Sequence, residues 1–251
     1  MSQPDTLAPD GAPLFLVDEL PEGPTVLVTG HEARHAVDVL RLTAGERVRV
    51  ADGEGTVVEG VVAAAGPEGL QVEVLARHLV PPPAPELVLV QALPKGDRGP
   101  LAVELATELG VDRIVPWTAA RCVTRWREDR VDKGLAKWRS AARAASKQAR
   151  RPRVPEITDP MSTRQVCGLL GDTDLALVLH EQARRPFSAV EVPTEGIVVV
   201  VVGPEGGITD GEAVAFRAAG SVVVRLVDEV LRTSTAGPAA LAAIAAGTRW
   251  R

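Results

Sequence analysis

A chain of 251 residues with 45% hydrophobic and 24% charged side chains has the material for one large globular domain or two modest ones. Its formal charge of −5 excludes a protein that coats nucleic acid indiscriminately, and 3% aromatics without a Tyr weigh against a base-stacking platform. Two cysteines, Cys122 and Cys167, stand far apart without metal-like spacing, so free thiols and no metal site are expected.

From Met1 to Pro13 the chain is polar and proline-containing, without the basic start and apolar run of a signal peptide. No stretch approaches the roughly 20 apolar residues of a membrane span, and a cytoplasmic location is expected. Next come short alternating runs, Thr25 to Val28, Arg47 to Val50, Thr56 to Val62 and Leu70 to Leu75, with Asp52-Gly53 and Gly66-Pro67 as turn signals. Only His31 to Leu42 reads as a helix. This predicts a small β-barrel domain over residues 1–80, followed by a stiff linker, Pro81-Pro82-Pro83-Ala84-Pro85, within residues 81–86.

The second domain, residues 87–251, opens as a βαβ unit. Leu87 to Leu93 is a predicted strand, Asp97 can cap a helix carrying Leu101, Leu105 and Leu109 at i, i+4 spacing, Gly110 ends it, and Val111 to Trp117 is the next strand. Glu104 and Glu108 share a helix face, which a catalytic pair would do and an ordinary solvated face does more often. Lys95 and Arg98, in the loop at the strand's end, are placed to meet an anion.

The most polarised stretch runs from Arg121 to Arg153, where twelve Lys or Arg stand against Glu128, Asp129 and Asp132. Leu135, Trp138, Ala142, Ala145 and Ala149 would line one face of a helix there, leaving Arg139, Arg143, Lys147, Arg150 and Arg151 off that seam. A basic strip on an otherwise acidic body suits a polyanion met through one face. Arg121, Arg125, Arg143, Lys147, Arg150, Arg151 and Arg153 are therefore candidate contacts for a nucleic-acid phosphate backbone, beside Lys95 and Arg98, the alternative being an ordinary solvated face.

Asp172 to His180 and Glu195 to Val202 are further predicted strands, joined by the connector Gln182-Ala183-Arg184-Arg185-Pro186; His180-Glu181 is either a pocket wall or an ordinary loop. Ile197 to Val202 is β-branched without alternation, which suits a strand buried on both faces in a parallel sheet. It runs into Gly203-Pro204-Glu205-Gly206-Gly207, at the strand end where open α/β sheets bind ligands. Glu205 disfavours a polyanion there and tolerates a neutral or cationic ligand; the alternative is a plain strand-to-helix turn with Thr209 and Glu212 as a capping box. A second loop, Leu231-Arg232-Thr233-Ser234-Thr235-Ala236, follows the predicted strand Val222 to Val227 and precedes the alanine-rich Ala239 to Ala246. Loops from adjacent parallel strands would converge on one crevice.

Those two motifs, in that order, closely resemble the SPOUT-class methyltransferases that methylate N3 of a uridine in 16S ribosomal RNA. His35-x-x-x-Val39-Leu40-Arg41, Lys95-Gly96-Asp97-Arg98, Glu104 to Val111, and Gln148 through Arg153-Val154-Pro155-Glu156 agree in order, so the resemblance covers nearly the whole chain. It implies a trefoil-knotted α/β domain preceded by a PUA-like RNA-binding β-barrel, a homodimer, and S-adenosylmethionine as methyl donor. It further implies that the donor is held by Leu179, Val202, Gly203, Pro204, Glu205, Gly206, Gly207, Leu226, Val227, Val230, Leu231, Thr235 and Ala236, and that Arg34, His35 and Arg41 face RNA. Two departures stand out: Leu226-Val227 where the family usually has Leu-Gly, and Ser234 where many relatives have Glu.

Methylation at uridine N3 requires loss of a proton whose pKa lies well above neutral, so negative charge on the ring must be stabilised. Arg232 is the catalytic candidate, the other reading being a structural Arg tied to a backbone carbonyl; no general base is identified. A non-catalytic RNA- or ribosome-binding protein of the same fold is the alternative, motivated by Val227. A dinucleotide enzyme is disfavoured, since no G-x-G-x-x-G follows a predicted strand.

Overall fold

In the computed structural model, which describes residues 11–250, the alternating runs near the start form one sheet. Met1 to Asp10 of the polar N-terminal stretch lie outside the described residues. Strands β1 (Leu14–Leu16), β2 (Thr25–Val28), β3 (Arg47–Ala51), β4 (Thr56–Gly66) and β5 (Gly69–Leu79) are ordered β1-β3-β4-β5-β2. All neighbours are antiparallel except β1 and β3. The inward residues of the alternation, Phe15, Val26, Val28, Val48, Val50, Val58, Val62, Leu70 and Val72, are the buried core. Register shifts after Glu59 and Val62 bend the long β4 and β5 pair. At the first of them only glycine fits, because a Cβ on Gly60 would stand 2.4 Å from the carbonyl oxygen of Glu73. The predicted helix His31 to Leu42 is instead a short α1 (Gly30–Arg34) that widens into a π turn at His35–Val39 and stops at Arg41, whose φ is 54°.

Two compact units result, Met1–Pro81 with Lys147–Arg153, and Pro82–Ser146 with Val154–Arg251. The late segment is bound into the first unit by specific contacts. The Arg153 guanidinium donates twice to the Val80 carbonyl, at 2.9 and 2.7 Å, and fills the space beside Gly55. Arg49 donates to the Arg150 carbonyl at 3.3 Å.

In the second unit every strand pairing is parallel. Strands β6 (Glu86–Ala92), β7 (Arg113–Thr118), β8 (Glu156–Ile157), β9 (Met161–Ser162), β10 (Leu175–Leu179), β11 (Ile197–Val202) and β12 (Val222–Val224) take the order β12-β10-β11-β6-β7-β8, with β9 also on β7. The unbroken apolar run of β11 is central, with Val198 to Val201 fully buried between β10 and β6. Helices α2 (Arg98–Glu108), α3 (Glu128–Gln148), α4 (Thr163–Gly171), α5 (Asp210–Ala218) and α6 (Thr233–Gly247) connect or follow the strands. Among the described residues no helix is long and apolar enough to cross a membrane.

The structure departs from the sequence expectations at α2, at the motif strands and at the end of α3. The leucine stripe of α2 does not face the core: Leu101 is 43% exposed, and the buried face is Gly99, Ala102, Val103, Ala106 and Thr107. Small side chains win because α2 packs against the alanine-rich α6, and because a Cβ on Gly99 would meet Trp138 at 2.7 Å. The strands preceding the two motif loops are also not adjacent, since β10 lies between β11 and β12. The seam predicted for α3 is buried at Leu135, Trp138, Ala142 and Ala145, whereas Ala149 lies past the helix end and is half-buried.

The end of the chain is fastened to the start of the same unit. The Arg249 side chain, 8% exposed, pairs with Asp112 and donates to the carbonyls of Pro85 and Gly110. Asp112 in turn accepts from the Leu87 N–H at 2.9 Å, at the start of β6.

Candidate active site

A glycine-rich turn directly after a buried strand places backbone polar groups at the sheet's carboxyl edge, where helices have not yet begun. Gly203 follows β11, and a Cβ there would come within 2.7 Å of Ile208, so the turn can fold tightly back on itself. Gly207, at φ +74°, donates its N–H to the Pro204 carbonyl at 2.8 Å. Thr209 and Glu212 then form the expected capping box of α5, with reciprocal side-chain contacts of 2.7 to 3.2 Å.

Three loops surround one cavity of about 520 Å³. The first is Val202 to Ile208, the second Arg225 to Thr233 with Ala236, and the third Leu179 to Gln182, from the end of the intervening β10. That volume lies in the range of small-molecule sites. Its wall is mixed: Leu179, Val202, Leu226, Val230 and Leu231 give apolar surface, while Glu181, Glu205, Asp210 and Glu229 bring carboxylates and Arg98, Arg121, Arg225 and Arg232 bring guanidinium groups. Of the residues expected to hold the donor, Thr235 alone is absent from the wall; its hydroxyl donates to the Arg232 carbonyl at 3.1 Å. Val227 stands on the wall, 39% exposed.

Buried polar groups tie two of these loops together. Gln91, at the inner end of β6 and 0% exposed, donates to the Thr233 hydroxyl at 3.0 Å, which donates to the Gly203 carbonyl at 2.8 Å. Neither residue is among the site candidates read from sequence, although Thr233 stands in the second motif loop and a Gln inside an otherwise apolar strand was the available signal. Arg232 is the N-cap of α6, and its carbonyl accepts the N–H groups of Thr235 and Ala236 at 2.9 Å. Its side chain is exposed, and among the described residues the guanidinium has no hydrogen-bond or ionic partner. Glu205 does not point an unpaired charge at the cavity, because its carboxylate accepts from the Lys95 N–H at 3.2 Å and lies 3.5 Å from Arg98. Burial pushes the pKa of the Cys122 thiol up, which keeps it protonated near neutral pH.

The candidate RNA contacts fall into different settings. In the second unit Arg98 and Arg121 reach the cavity wall, Lys95 and Arg125 are exposed, and Arg143 is half-buried. In the first unit Arg34, Arg41 and Arg150 are exposed, Arg151 is half-buried, and Arg153 is committed to Val80. His35 is lowered below the ordinary histidine range, first by burial and then by the Lys147 ammonium, so it stands neutral near pH 7 and is not a phosphate-binding cation. Lys147 is also spoken for: its ammonium lies 2.8 Å from Glu32 and 5.6 Å from the centre of the Phe15 ring. Lys147→Ala is therefore expected to lower stability by about 1–3 kcal/mol by stranding Glu32. Exposed Arg125→Ala should cost under roughly 0.5 kcal/mol. Urea unfolding of both variants checks this, and equal midpoints would refute it.

A family model described as an RNA methyltransferase domain matches residues 81–245, and one described as an RNA methyltransferase PUA domain matches residues 28–75. Ribosomal RNA small subunit methyltransferase E of Mycobacterium tuberculosis is 45% identical over 245 residues, covering 95% of this chain and 94% of that protein. The Bacillus subtilis protein of the same name is 28% identical, covering 90% and 91%. The crystal structure of ribosomal RNA small subunit methyltransferase E from Neisseria gonorrhoeae, bound to S-adenosyl methionine, superposes with a TM-score of 0.83 at 28% identity, covering 94% of this chain and 98% of that one. With a PUA domain ahead of a parallel-sheet domain whose strand-end loops enclose a cavity, the chain belongs to the ribosomal RNA small subunit methyltransferase E family of RNA methyltransferases.

Proposed function

We propose that the chain transfers the methyl group of S-adenosylmethionine to N3 of a uridine in 16S ribosomal RNA of the small ribosomal subunit. The observation that carries this reading is the cavity lined by the Gly203–Gly207 and Leu226–Arg232 loops, in a chain 45% identical to a ribosomal RNA small subunit methyltransferase E. The cavity fits the donor. Its apolar side, Leu179, Leu226 and Leu231, suits an adenine ring, backbone groups of the Gly203 turn offer hydrogen bonds, and the carboxylates of Glu181 and Glu229 suit the donor's positively charged ammonium and sulfonium. When bound, the donor supplies an electrophilic methyl group on a sulfonium.

The protein's own contribution is placement and charge. The Gln91, Thr233 and Gly203 chain fixes the two loops relative to each other, which keeps a reacting geometry within narrow limits. Arg232, at the cavity edge and without a partner among the described residues, donates to the carbonyl oxygens of a uracil that has lost its N3 proton. Arg98 and Arg121 on the same wall receive the phosphates that flank it. A homodimer, a trefoil-knotted path for the C-terminal segment and a cytoplasmic location belong to the same proposal, and sedimentation velocity at the mass of two chains tests the first of these.

Calorimetry with S-adenosylmethionine and mass spectrometry of ribosomal RNA from cells lacking the protein test the function. Saturable binding together with one methyl-uridine missing from 16S ribosomal RNA is the expected result. A chain that binds RNA but shows no donor binding would instead be the non-catalytic member that Val227 suggests.

A further inference from the structure

Glu212 is 6% exposed, and four donors surround its carboxylate. One oxygen, Oε2, accepts from the N–H and hydroxyl of Thr209 at 2.9 and 2.7 Å, and this completes the cap of α5. Capping needs nothing more, and it needs no charge. Helix α4 is capped in the same way by Ser162 and Gln165, whose amide oxygen accepts from the Ser162 N–H at 2.9 Å. The other oxygen of Glu212, Oε1, reaches outside its own helix, accepting from the Ala120 N–H at 2.8 Å and the Thr163 hydroxyl at 3.3 Å. Burial works to raise the pKa of this carboxyl, but the bonds from Ala120, Thr209 and Thr163 outweigh it and hold the group below the ordinary range, hence ionised.

The residue after Ala120 is Arg121. Its Nη1 donates to the Gly206 carbonyl at 3.1 Å, its side chain forms part of the cavity wall, and a Cβ on Gly206 would stand 3.0 Å from its own Cβ. Fixing the Ala120 N–H thus fixes the backbone from which Arg121 departs. A guanidinium has five N–H donors, and among the described residues Arg121 uses one of them. It is exposed and faces a site into which, on the proposed function, a ribonucleotide enters.

We propose that Glu212 is a positioning residue that holds Arg121 at the cavity mouth, where the remaining donors of its guanidinium grip a phosphodiester of the substrate RNA. This deepens the proposed function and rests on it. Glu212→Gln isolates the contact. The amide oxygen can still cap α5 as Gln165 caps α4, but the amide NH2 then faces the Ala120 N–H, donor against donor.

The test measures methyl transfer to small ribosomal subunits from cells lacking the protein, alongside calorimetry with S-adenosylmethionine. Glu212→Gln should raise KM for the subunits about tenfold, equivalent to ~1.4 kcal/mol, while the donor Kd stays within about twofold. Arg121→Ala should do the same, and the double variant should be no worse than Arg121→Ala alone. Multiplying effects, an unchanged KM in either single variant, or a collapse of donor affinity in Glu212→Gln would each overturn the proposal. Should Glu212→Gln not fold, an unchanged KM in Arg121→Ala still overturns the proposal. Should the unaltered protein bind no donor, the proposed function fails, and the phosphate contact is still read from RNA binding, where Arg121→Ala should reduce the salt slope by about one.

Discussion

Arg232→Ala should lower kcat for methyl transfer about 10²- to 10³-fold, the loss usual when one donor to a developing oxyanion is removed, and leave S-adenosylmethionine affinity within about twofold. The separation follows from where Arg232 sits. Its backbone caps α6 and stays in place with any side chain, because the cap is made by its carbonyl to Thr235 and Ala236. Its guanidinium, by contrast, has no protein partner among the described residues, so truncation breaks no internal bond. Arg232→Lys should recover only part of the rate, since an ammonium is a point charge and cannot donate to two carbonyls as a planar fork does. Calorimetry and single-turnover transfer on small subunits give the two numbers. Normal turnover in Arg232→Ala would remove this residue from the chemistry, and lost donor binding would reassign it to the cofactor.

Arg249→Ala should cost about 3–5 kcal/mol, the usual penalty for removing one partner of a buried ion pair. Three groups each lose a donor at once, the Asp112 carboxylate and the carbonyls of Pro85 and Gly110, and the Arg249 side chain is 8% exposed. For a unit of this size the melting temperature should fall by roughly 10 °C. Trp250→Ala next to it, 55% exposed, serves as the control and should barely move the transition. Differential scanning calorimetry of the two variants gives the comparison; a loss below about 1 kcal/mol in Arg249→Ala would show that solvent replaces the bonds.

What the sequence made legible is what short-range chemistry dictates. The β-branched run of β11 reads as central because no polar residue interrupts it, and the capping box at Thr209 and Glu212 reads as a helix start from its spacing alone. The glycines at 203, 206 and 207 mark the first wall of the cavity for the same reason. Elements whose environment is set by distant partners read poorly. Leu101 looks like core until α6 is seen to bring small side chains against α2. Lys147 looks like a phosphate ligand until Glu32, 115 positions earlier in the numbering, is found at 2.8 Å. The π turn at His35 leaves no mark in the hydrophobic period, and the third cavity wall, Leu179 to Gln182, depends on β10 inserting between β11 and β12. Gln91 and Glu212 show the same limit, since their partners Thr233 and Ala120 are remote in sequence.

The segment Lys147–Arg153, bound to residues such as Val80 and Arg49 that precede it by 73 and 101 positions, makes the N-terminal sheet a late product of translation. At roughly 5–20 residues per second, the ribosome has passed the last strand of that sheet several seconds before the residues that finish it emerge. During this interval the nascent sheet lacks the guanidinium that fills the hollow beside Gly55 and the ammonium that neutralises Glu32. Cutting the gene after the proline-rich stretch would freeze that unfinished state, so a stable stand-alone version of the first unit has to carry the seven later residues grafted onto it.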